Sequence, residues 1–295
     1  MIPRMENTQN LNADRLADAW AELQAHAASG APIDAAAHRL AFADPEFLLR
    51  RETRGIRLQL EMLKPDLTQH ALGIENTVVV YGSARFVSED VAREQLAQAQ
   101  AGGDAAAIQR AERQLRNAYF YEQARAFGRI VAEHGNKLPQ KERLYICTGG
   151  GPGIMEAANR GAAEAGALTV GLNIALPHEQ GANPWVSPEL SFKFHYFAMR
   201  KMHFMMRAKA LVVFPGGFGT LDELFEVITL VQCGKAKPVP IVLFGTDYWH
   251  KLFNFEALVE YGTISPDDLH LLTYADEPQA IWDCIRRFYG LPTKA

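Results

Sequence analysis

The residues best suited to chemistry lie in a glycine-rich segment between an apolar run and a predicted helix. Residues 211–223 read Leu-Val-Val-Phe-Pro-Gly-Gly-Phe-Gly-Thr-Leu-Asp-Glu. Gly216, Gly217 and Gly219 leave backbone N–H groups unshielded, and Thr220 is a candidate cap for the helix that follows. Because free N–H groups and the helix dipole both favour negative charge at a helix N-terminus, we predict an anion-binding turn here.

A second segment with the same organisation lies upstream. Residues 144–147 form a strand-like run, and residues 148–153, Thr-Gly-Gly-Gly-Pro-Gly, separate it from another predicted helix. One glycine-rich turn is weak evidence, because close packing of a helix on a strand also requires glycine. Two such strand–turn–helix units together indicate a ligand that carries both a phosphate and a sugar.

Glu223 follows Thr220 by three residues, and this spacing fits two interpretations. In the first, the two residues form a capping box, in which Glu223 accepts from the Thr220 amide. In the second, the carboxylate stands beside the glycine turn and stabilises positive charge that develops on a sugar during glycosyl transfer. Arg200 lies on a basic face of a predicted helix over 194–208, which fits either a solvated surface or an active-site group.

The remaining pattern predicts the elements that position these residues. Apolar runs typical of buried strands alternate with helical segments, and they fall at 76–81, 144–147, 168–174, 210–214 and 239–244. A helix is predicted from about 117 to 134, and the loop after 174 is expected to lead directly into the helix over 194–208. Beyond 244 the chain is predicted to be mostly helical. Continuous apolar strands indicate a parallel sheet covered by helices on both faces. We therefore predict an α/β fold with a Rossmann-like doubly wound parallel sheet, whose glycine turns lie at the strand ends where such sheets bind ligands.

Two helical segments are expected outside this sheet. Residues 1–72 form a predicted N-terminal extension, and residues 73–295 form a nucleotide-binding catalytic domain with a helical-hairpin insertion over 88–117. In the extension, Asp44 precedes a proline and should cap a helix that ends near Pro65. That helix carries four arginines, which fit a solvated face paired with glutamates or a group that reaches towards a phosphate: Arg50, Arg51, Arg54 and Arg57.

Several common catalytic patterns are absent from the sequence. In a dinucleotide-binding fingerprint that began at Gly149, the third glycine would fall at Ile154, and Asn173 lies near the expected acidic position. The chain contains no Gly-Lys-Ser/Thr phosphate loop, Gly-x-Ser-x-Gly elbow or His-Glu-x-x-His helix. These absences disfavour hydride transfer, ATP hydrolysis, serine-hydrolase chemistry and zinc proteolysis.

The composition indicates which binding partners and which cellular compartment to expect. The chain has 295 residues, 48% of them hydrophobic, and a formal net charge of −4, which gives no indication of a nucleic-acid or anionic-membrane partner. Its three cysteines show no metal-binding spacing and indicate reduced thiols. The N-terminus has no apolar signal segment, and the apolar runs are strand-sized. We expect a cytoplasmic protein that works without a metal or a cofactor.

Three motifs, at 148–156, 199–201 and 215–223, are similar to those of the LOG (LONELY GUY) family. Its members are nucleoside 5′-monophosphate phosphoribohydrolases, many of them labelled lysine decarboxylases, and the similarity spans about residues 75–250. The N-terminal extension and the insertion over 88–117 depart from the short members of the family and make the chain resemble its longer bacterial branch. The resemblance implies hydrolysis of AMP, or of a modified adenine nucleotide such as a cytokinin riboside monophosphate, to free base and ribose 5-phosphate. It also implies a homodimer or larger homo-oligomer.

The resemblance also implies roles for individual residues. Arg200 and Glu223 match the family's catalytic pair, and Asp222 stands where a glutamate is usual. No residue stands out as the acid that protonates the base. Substrate contacts are implied for Gly82, Ser83, Gly149, Gly150, Gly151, Gly153, Met155, Glu179, Lys201, Gly216, Gly217, Phe218, Gly219, Thr220 and Asp222.

Two other functions remain as alternatives. The same fold and turns resemble carriers of a phosphorylated pterin cofactor, which need no catalytic glutamate, so the combination of Arg200 and Glu223 favours an enzyme over a carrier. A pyridoxal-phosphate decarboxylase would need a Schiff-base lysine. The only His-Lys pair is at residues 250–251, and no serine lies two residues before its histidine.

Overall fold

Short apolar runs build a seven-stranded sheet in which every neighbouring pair of strands is parallel. The computed structural model describes residues 39–175 and 181–291, together with residues 21, 25 and 28. The strands are β1 Thr77–Tyr81, β2 Tyr145–Thr148, β3 Val170–Ile174, β4 Ser191–Phe194, β5 Ala208–Val213, β6 Ile241–Phe244 and β7 Leu272–Ala275. Their order is β4-β3-β2-β1-β5-β6-β7, which confirms the predicted doubly wound parallel sheet. The order reverses between β1 and β5, where open α/β sheets bind ligands.

Two of the seven strands were not expected from the sequence. The segment before residue 194 was predicted as a loop that led directly into a helix, yet β4 lies there and pairs with β3. The last part of the chain was predicted as mostly helical, yet β7 pairs with β6. Both expectations were wrong, because β4 and β7 are four-residue strands that lack a continuous apolar run and end the sheet on either side.

Within the described residues, helices precede β1, fill most of the connections between strands and follow β7. They are α1 Pro45–Leu48, α2 Arg54–Ala71, α3 Glu89–Gly102, α4 Ala105–Gly135, α5 Ile154–Glu164, α6 Phe197–Met206, α7 Phe218–Gln232, α8 Thr246–Leu252, α9 Phe255–Glu260 and α10 Pro278–Tyr289. The chain divides into two compact units, residues 1–60 and 61–295. The proposed boundary at residue 72 falls just after α2.

The start predicted for the first helix is confirmed, but its length is wrong. The Asp44 carboxylate accepts from the amides of Glu46 and Phe47, at 3.0 and 3.2 Å, as a helix cap does. The helix ends at Leu48, and a new helix begins at Arg54. Between them, the buried Thr53 hydroxyl lies 2.9–3.0 Å from three carbonyl oxygens of the first helix and the turn, and it satisfies groups that the helix end leaves free.

Pro65 does not end the second helix. Proline removes one intrahelical hydrogen bond, yet α2 continues to Ala71 with Pro65 buried in its interior. The predicted hairpin over 88–117 is formed by α3 and the start of α4, and Gly103 at φ 72° ends α3. The prediction of a separate helix from about 117 to 134 was wrong, because α4 is continuous over 31 residues. Whether the hairpin is an insertion stays a prediction.

Two apolar clusters cover the two faces of the sheet. Alternate residues of β1 point into different clusters: Val78 joins α4, α5 and α10, whereas Val79 joins α6 and α7. Gly128 and Gly161 bring the backbones of α4 and α5 together. A Cβ on either residue would lie 2.2 or 1.8 Å from a carbonyl oxygen of the other helix.

Among the described residues, no helix has both the length and the apolar character to span a bilayer.

An ion cluster also joins α4 to α5. The Glu164 carboxylate accepts from three arginine side chains at 2.6–3.0 Å: Arg125, Arg129 and Arg160. The hydrogen bond from Arg125 is the largest of the contributions that lower the pKa of Glu164 to about 2. The carboxylate is therefore stabilised in its charged form by the folded structure.

We predict that Glu164→Gln lowers the free energy of unfolding by about 1–2 kcal/mol at pH 7. A lowered carboxyl pKa contributes stability above the ordinary value of 4.5. That contribution is lost as pH falls from there through about 2. Chemical denaturation should therefore show a difference between wild type and variant that shrinks on acidification.

The control is Glu112→Gln on the same helix α4. Glu112 is exposed and has no ion pair within the described part of the chain. Its substitution should change stability little at any pH. A Glu164→Gln protein as stable as wild type at pH 7 would contradict the role given to the cluster.

Candidate active site

The point where the strand order reverses opens into a cavity of about 810 Å³. The loops after β1, β2 and β5 form most of its wall, as expected for the carboxyl ends of parallel strands. Eleven of the residues predicted from the sequence line it: Gly82, Ser83, Gly149, Met155, Arg200, Gly216, Gly217, Phe218, Gly219, Thr220 and Glu223. The structure therefore brings both glycine turns and the Arg200–Glu223 pair to one site.

Five of the other predicted residues do not line this cavity: Gly150, Gly151, Gly153, Lys201 and Asp222. Gly150 and Gly153 have φ values of 69° and 73°, in the left-handed region that favours glycine. A Cβ on Gly153 would lie 2.3 Å from the Ser83 carbonyl oxygen, so this glycine serves close packing. The predicted substrate contacts of these five residues stay predictions. Glu179 lies outside the described residues.

Arg200 and Glu223 form a buried ion pair. Arg200 on α6 donates from Nη2 to Oε1 of Glu223 on α7 at 2.6 Å, and the two side chains are only 13% and 6% exposed. The guanidinium carbon lies 5.3 and 5.4 Å from the ring centres of Phe197 and Phe204, within cation–π range. Nη1 would be 3.8 Å from a Cβ on Gly149. The guanidinium thus lies between the first glycine turn and the carboxylate.

Thr220 and Glu223 do not form the capping box, which was one of the two interpretations of their spacing. Helix α7 begins at Phe218, its N-cap is Gly217, and no side chain caps it. The Thr220 amide instead donates to the Gly217 carbonyl oxygen at 3.0 Å. Because the helix starts two residues before the predicted cap, Glu223 lies too far along the helix to close a box and pairs with Arg200. The first turn of α7 still borders the cavity, with the unpaired amides common to helix starts.

Burial sets the electrostatics of the carboxylate. Burial raises the pKa of Glu223, and the nearby charges of Arg200 and Lys201 lower it less than burial raises it. Burial and the negative charge of Glu223 hold the pKa of Tyr81 well above its usual value, so this hydroxyl on the cavity wall stays protonated. Lys201 itself lies 2.8 Å from carboxylate oxygens of both Asp222 and Glu226.

Sequence reasoning missed several side chains of the wall: Arg85, Phe86, Asn117, Phe120 and Tyr248. Phe86 and Phe120 stack at 5.9 Å between ring centres. Arg85 and Phe86 belong to the loop after β1, so the expectation that ligands bind at the strand ends applied to them as well. Asn117 and Phe120 belong to α4, and no local motif marks them as site residues.

The turn itself allows a sharp test of its packing. We predict that Gly216→Ala destabilises the protein by about 1–3 kcal/mol, whereas Gly217→Ala does not. A Cβ on Gly216 would lie 2.1 Å from Thr220 Oγ1 and 2.7 Å from Thr220 Cβ, and Thr220 is buried. A Cβ on Gly217 would meet nothing within 4 Å. Chemical denaturation of both variants measures the difference, and equal stabilities would contradict the packing described.

A family model and several known proteins match this chain. A family model described as possible lysine decarboxylase matches residues 155–285. The cytokinin riboside 5′-monophosphate phosphoribohydrolase LOG1 of Arabidopsis thaliana is 30% identical over 147 residues, which are 48% of this chain and 67% of that protein. The probable phosphoribohydrolase LOGL2 of Oryza sativa subsp. japonica is 26% identical over 160 residues, 53% of this chain. The match spans 64% of LOGL2, less than two thirds of its length.

A solved structure is also similar, but only distantly. The molybdenum cofactor binding protein of Rippkaea orientalis is 17% identical, with a TM-score of 0.42 over 73% of this chain and 98% of that one. Among the described residues, no group of three or more His, Cys, Asp or Glu side chains is arranged to hold a metal ion.

Proposed function

We propose that this chain, which belongs to the LOG family, hydrolyses the N-glycosidic bond of a nucleoside 5′-monophosphate. The products are the free base and ribose 5-phosphate. The observation that carries the proposal is the ion pair of Arg200 and Glu223, buried at 2.6 Å in the wall of a cavity that both glycine turns border. A binding protein would have no need to bury a carboxylate beside the sugar, because burying charge is costly.

The phosphate is assigned to the first turn of α7. Gly217, Phe218 and Gly219 border the cavity there, where backbone amides and the helix dipole favour an anion. A Cβ on Gly217 or Gly219 would meet no protein atom within 4 Å, so glycine leaves this surface open to a ligand. The phosphate is remote from the bond that breaks, and its binding energy can position the ribose.

The carboxylate acts on the ribose. As the base departs, C1′ becomes positively charged, and the charge of Glu223 stabilises that state. Water supplies the hydroxyl that bonds to C1′, and its remaining proton goes to the departing base. Arg200 supports this chemistry because its charge opposes the rise in the Glu223 pKa that burial causes. The hydrogen bond from Arg200 also fixes one carboxylate oxygen, so the other stays available to the ribose or the water.

The base is assigned to the aromatic part of the cavity. Phe86 and Phe120 offer ring surface, and the Asn117 amide both donates and accepts hydrogen bonds. This combination suits a purine such as adenine, in agreement with the cytokinin nucleotides named for the relatives. A pyridoxal-phosphate decarboxylase is disfavoured, since no lysine of the described residues lines the cavity.

We also propose that the protein works in the cytoplasm as a homodimer or larger assembly. The support for assembly is apolar surface on α6, the helix that carries Arg200. Phe197, Met202 and Met206 are 49%, 47% and 42% exposed. Met202 and Met206 lie one turn apart, so they form adjoining apolar surface that favours contact with another copy over contact with water.

The substrate class can be tested with two nucleotides and their nucleosides. We predict that AMP yields free adenine, and that adenosine is cleaved with a kcat/KM lower by about a hundredfold or more, because it lacks the phosphate that positions the ribose. Chromatographic detection of the free base measures both reactions, with UMP and uridine as the matched pyrimidine pair. Equal turnover of AMP and adenosine would remove the phosphate assignment.

The role of the carboxylate can be tested separately. We predict that Glu223→Gln lowers kcat for AMP by about a hundredfold or more, because the amide cannot stabilise developing positive charge. KM should change little, since the phosphate turn is intact. The thermal midpoint should fall somewhat, because Gln still accepts from Arg200 but leaves that buried charge without a counter-charge, so kcat is compared well below the midpoint.

The matched control is Glu226→Gln, three residues further along α7. Glu226 pairs with Lys201 and does not line the cavity. This variant should keep near-native kcat. A Glu223→Gln protein with near-native turnover of AMP would contradict the catalytic assignment.

A further inference from the structure

Helix α6, which carries Arg200, receives its N-terminal cap from another helix. Its N-cap residue is Tyr196, whose side chain makes no capping hydrogen bond. Instead, the Glu61 carboxylate on α2 accepts from the amides of His195 and Tyr196, one on each oxygen, at 2.8 and 3.1 Å. Glu61 thus provides from α2 what the glutamate of a capping box provides within one helix, and its charge lies at the positive end of the helix dipole.

The same residue also holds the middle of α6. The Glu61 carbonyl oxygen accepts from His203 Nε2 at 3.0 Å. His203 is buried, and burial lowers its pKa, so the ring is neutral and donates through Nε2. Backbone and side chain of one residue therefore contact α6 at two places about two turns apart.

The C-terminal end of α6 is fixed by residues that follow Glu61 along the chain. Arg207, the C-cap residue, donates from Nε to the Ile74 carbonyl oxygen at 2.8 Å. Its Nη2 lies 2.6 Å from an Asp66 carboxylate oxygen. Helix α6 is thus held at its start, middle and end by residues 61–74, which precede the first strand.

Arg200 lies within the segment that Glu61 fixes. Its amide donates to the Tyr196 carbonyl oxygen at 3.2 Å, so it belongs to the first turn of α6. From there its side chain spans to Glu223 on α7. If the two amides lost their acceptor, this turn would be free to fray, and a shift of about 1 Å in a catalytic group is enough to cost a large part of the rate.

We infer that Glu61 is a positioning residue for Arg200. Its carboxylate fixes the first turn of α6, so that the Arg200 guanidinium meets the Glu223 carboxylate in the cavity wall. The inference rests on the proposed function, and it makes the C-terminal half of α2 part of the catalytic apparatus. It does not require Glu61 to touch the substrate, and Glu61 does not line the cavity.

The test compares Glu61→Gln and Glu61→Asp in the full chain. Gln keeps only one acceptor oxygen, so kcat for AMP should fall about tenfold or more with KM within about twofold of wild type. Asp keeps both oxygens on a shorter side chain and should restore part of the loss. The control is Glu75→Gln, an exposed residue that pairs with His70.

A pH profile separates positioning from stability. Glu223 is faced by Arg200 and Lys201 from α6, by Asp222 and Glu226 from α7, and by Tyr81 from β1. Arg200 lowers the Glu223 pKa more than Lys201 does. If Arg200 moves away in Glu61→Gln, the acidic limb of kcat should shift to higher pH. A residue that only stabilises the fold would lower the thermal midpoint and leave this limb in place.

Hydrogen exchange tests, without any substrate, whether Glu61 fixes the first turn of α6. Amides 195–200 should exchange faster in Glu61→Gln than in wild type, and unchanged exchange there would overturn the inference. An active wild type whose Glu61→Gln variant keeps native kcat and pH profile would also overturn it. If wild type releases no base from AMP or UMP, the proposed function fails, while the exchange experiment still tests whether Glu61 fixes the turn.

Discussion

The rest of the site depends on keeping two opposite charges in contact away from water. Arg200 and Glu223 belong to α6 and α7, the helices that precede and follow β5 along the chain. Their 2.6 Å contact therefore joins the two ends of a helix–strand–helix unit. Burial alone disfavours the carboxylate, and the pKa of Glu223 is raised despite the nearby cation. The pair survives only if both helices hold their places, because an unpaired buried charge is costly.

The two glycine turns resemble each other in sequence but meet different physical demands. In the turn after β2, Gly150 and Gly153 adopt left-handed backbone and face atoms that a Cβ would strike. In the turn after β5, Gly217 and Gly219 face open space. The first set of glycines therefore lets the chain pack, and the second set leaves room beside a helix start. Only the open surface beside Gly217 and Gly219 favours a bound ligand.

Much of this arrangement could be predicted from the sequence, and the limits have physical causes. Five strands are marked by apolar runs, and the turns after β1, β2, β5 and β6 are marked by glycine, and both signals act locally. The edge strands β4 and β7 are not, because four residues without a continuous apolar run resemble a loop. The capping box does not form because α7 begins at Phe218, so that its N-cap is Gly217, three residues before Thr220. The partner of Glu223 lies 23 residues away, beyond any local rule.

The residues that fix Arg200 show why a motif is an incomplete description of a site. Its guanidinium lies between two aromatic rings of its own helix and faces the turn after β2. Its backbone is held from α2, in a segment that carries no recognisable pattern. A polar group at a helix start can be satisfied by any nearby acceptor, so the acceptor need not be close in sequence. The position of a catalytic side chain is then decided by long-range contacts that only the folded structure displays.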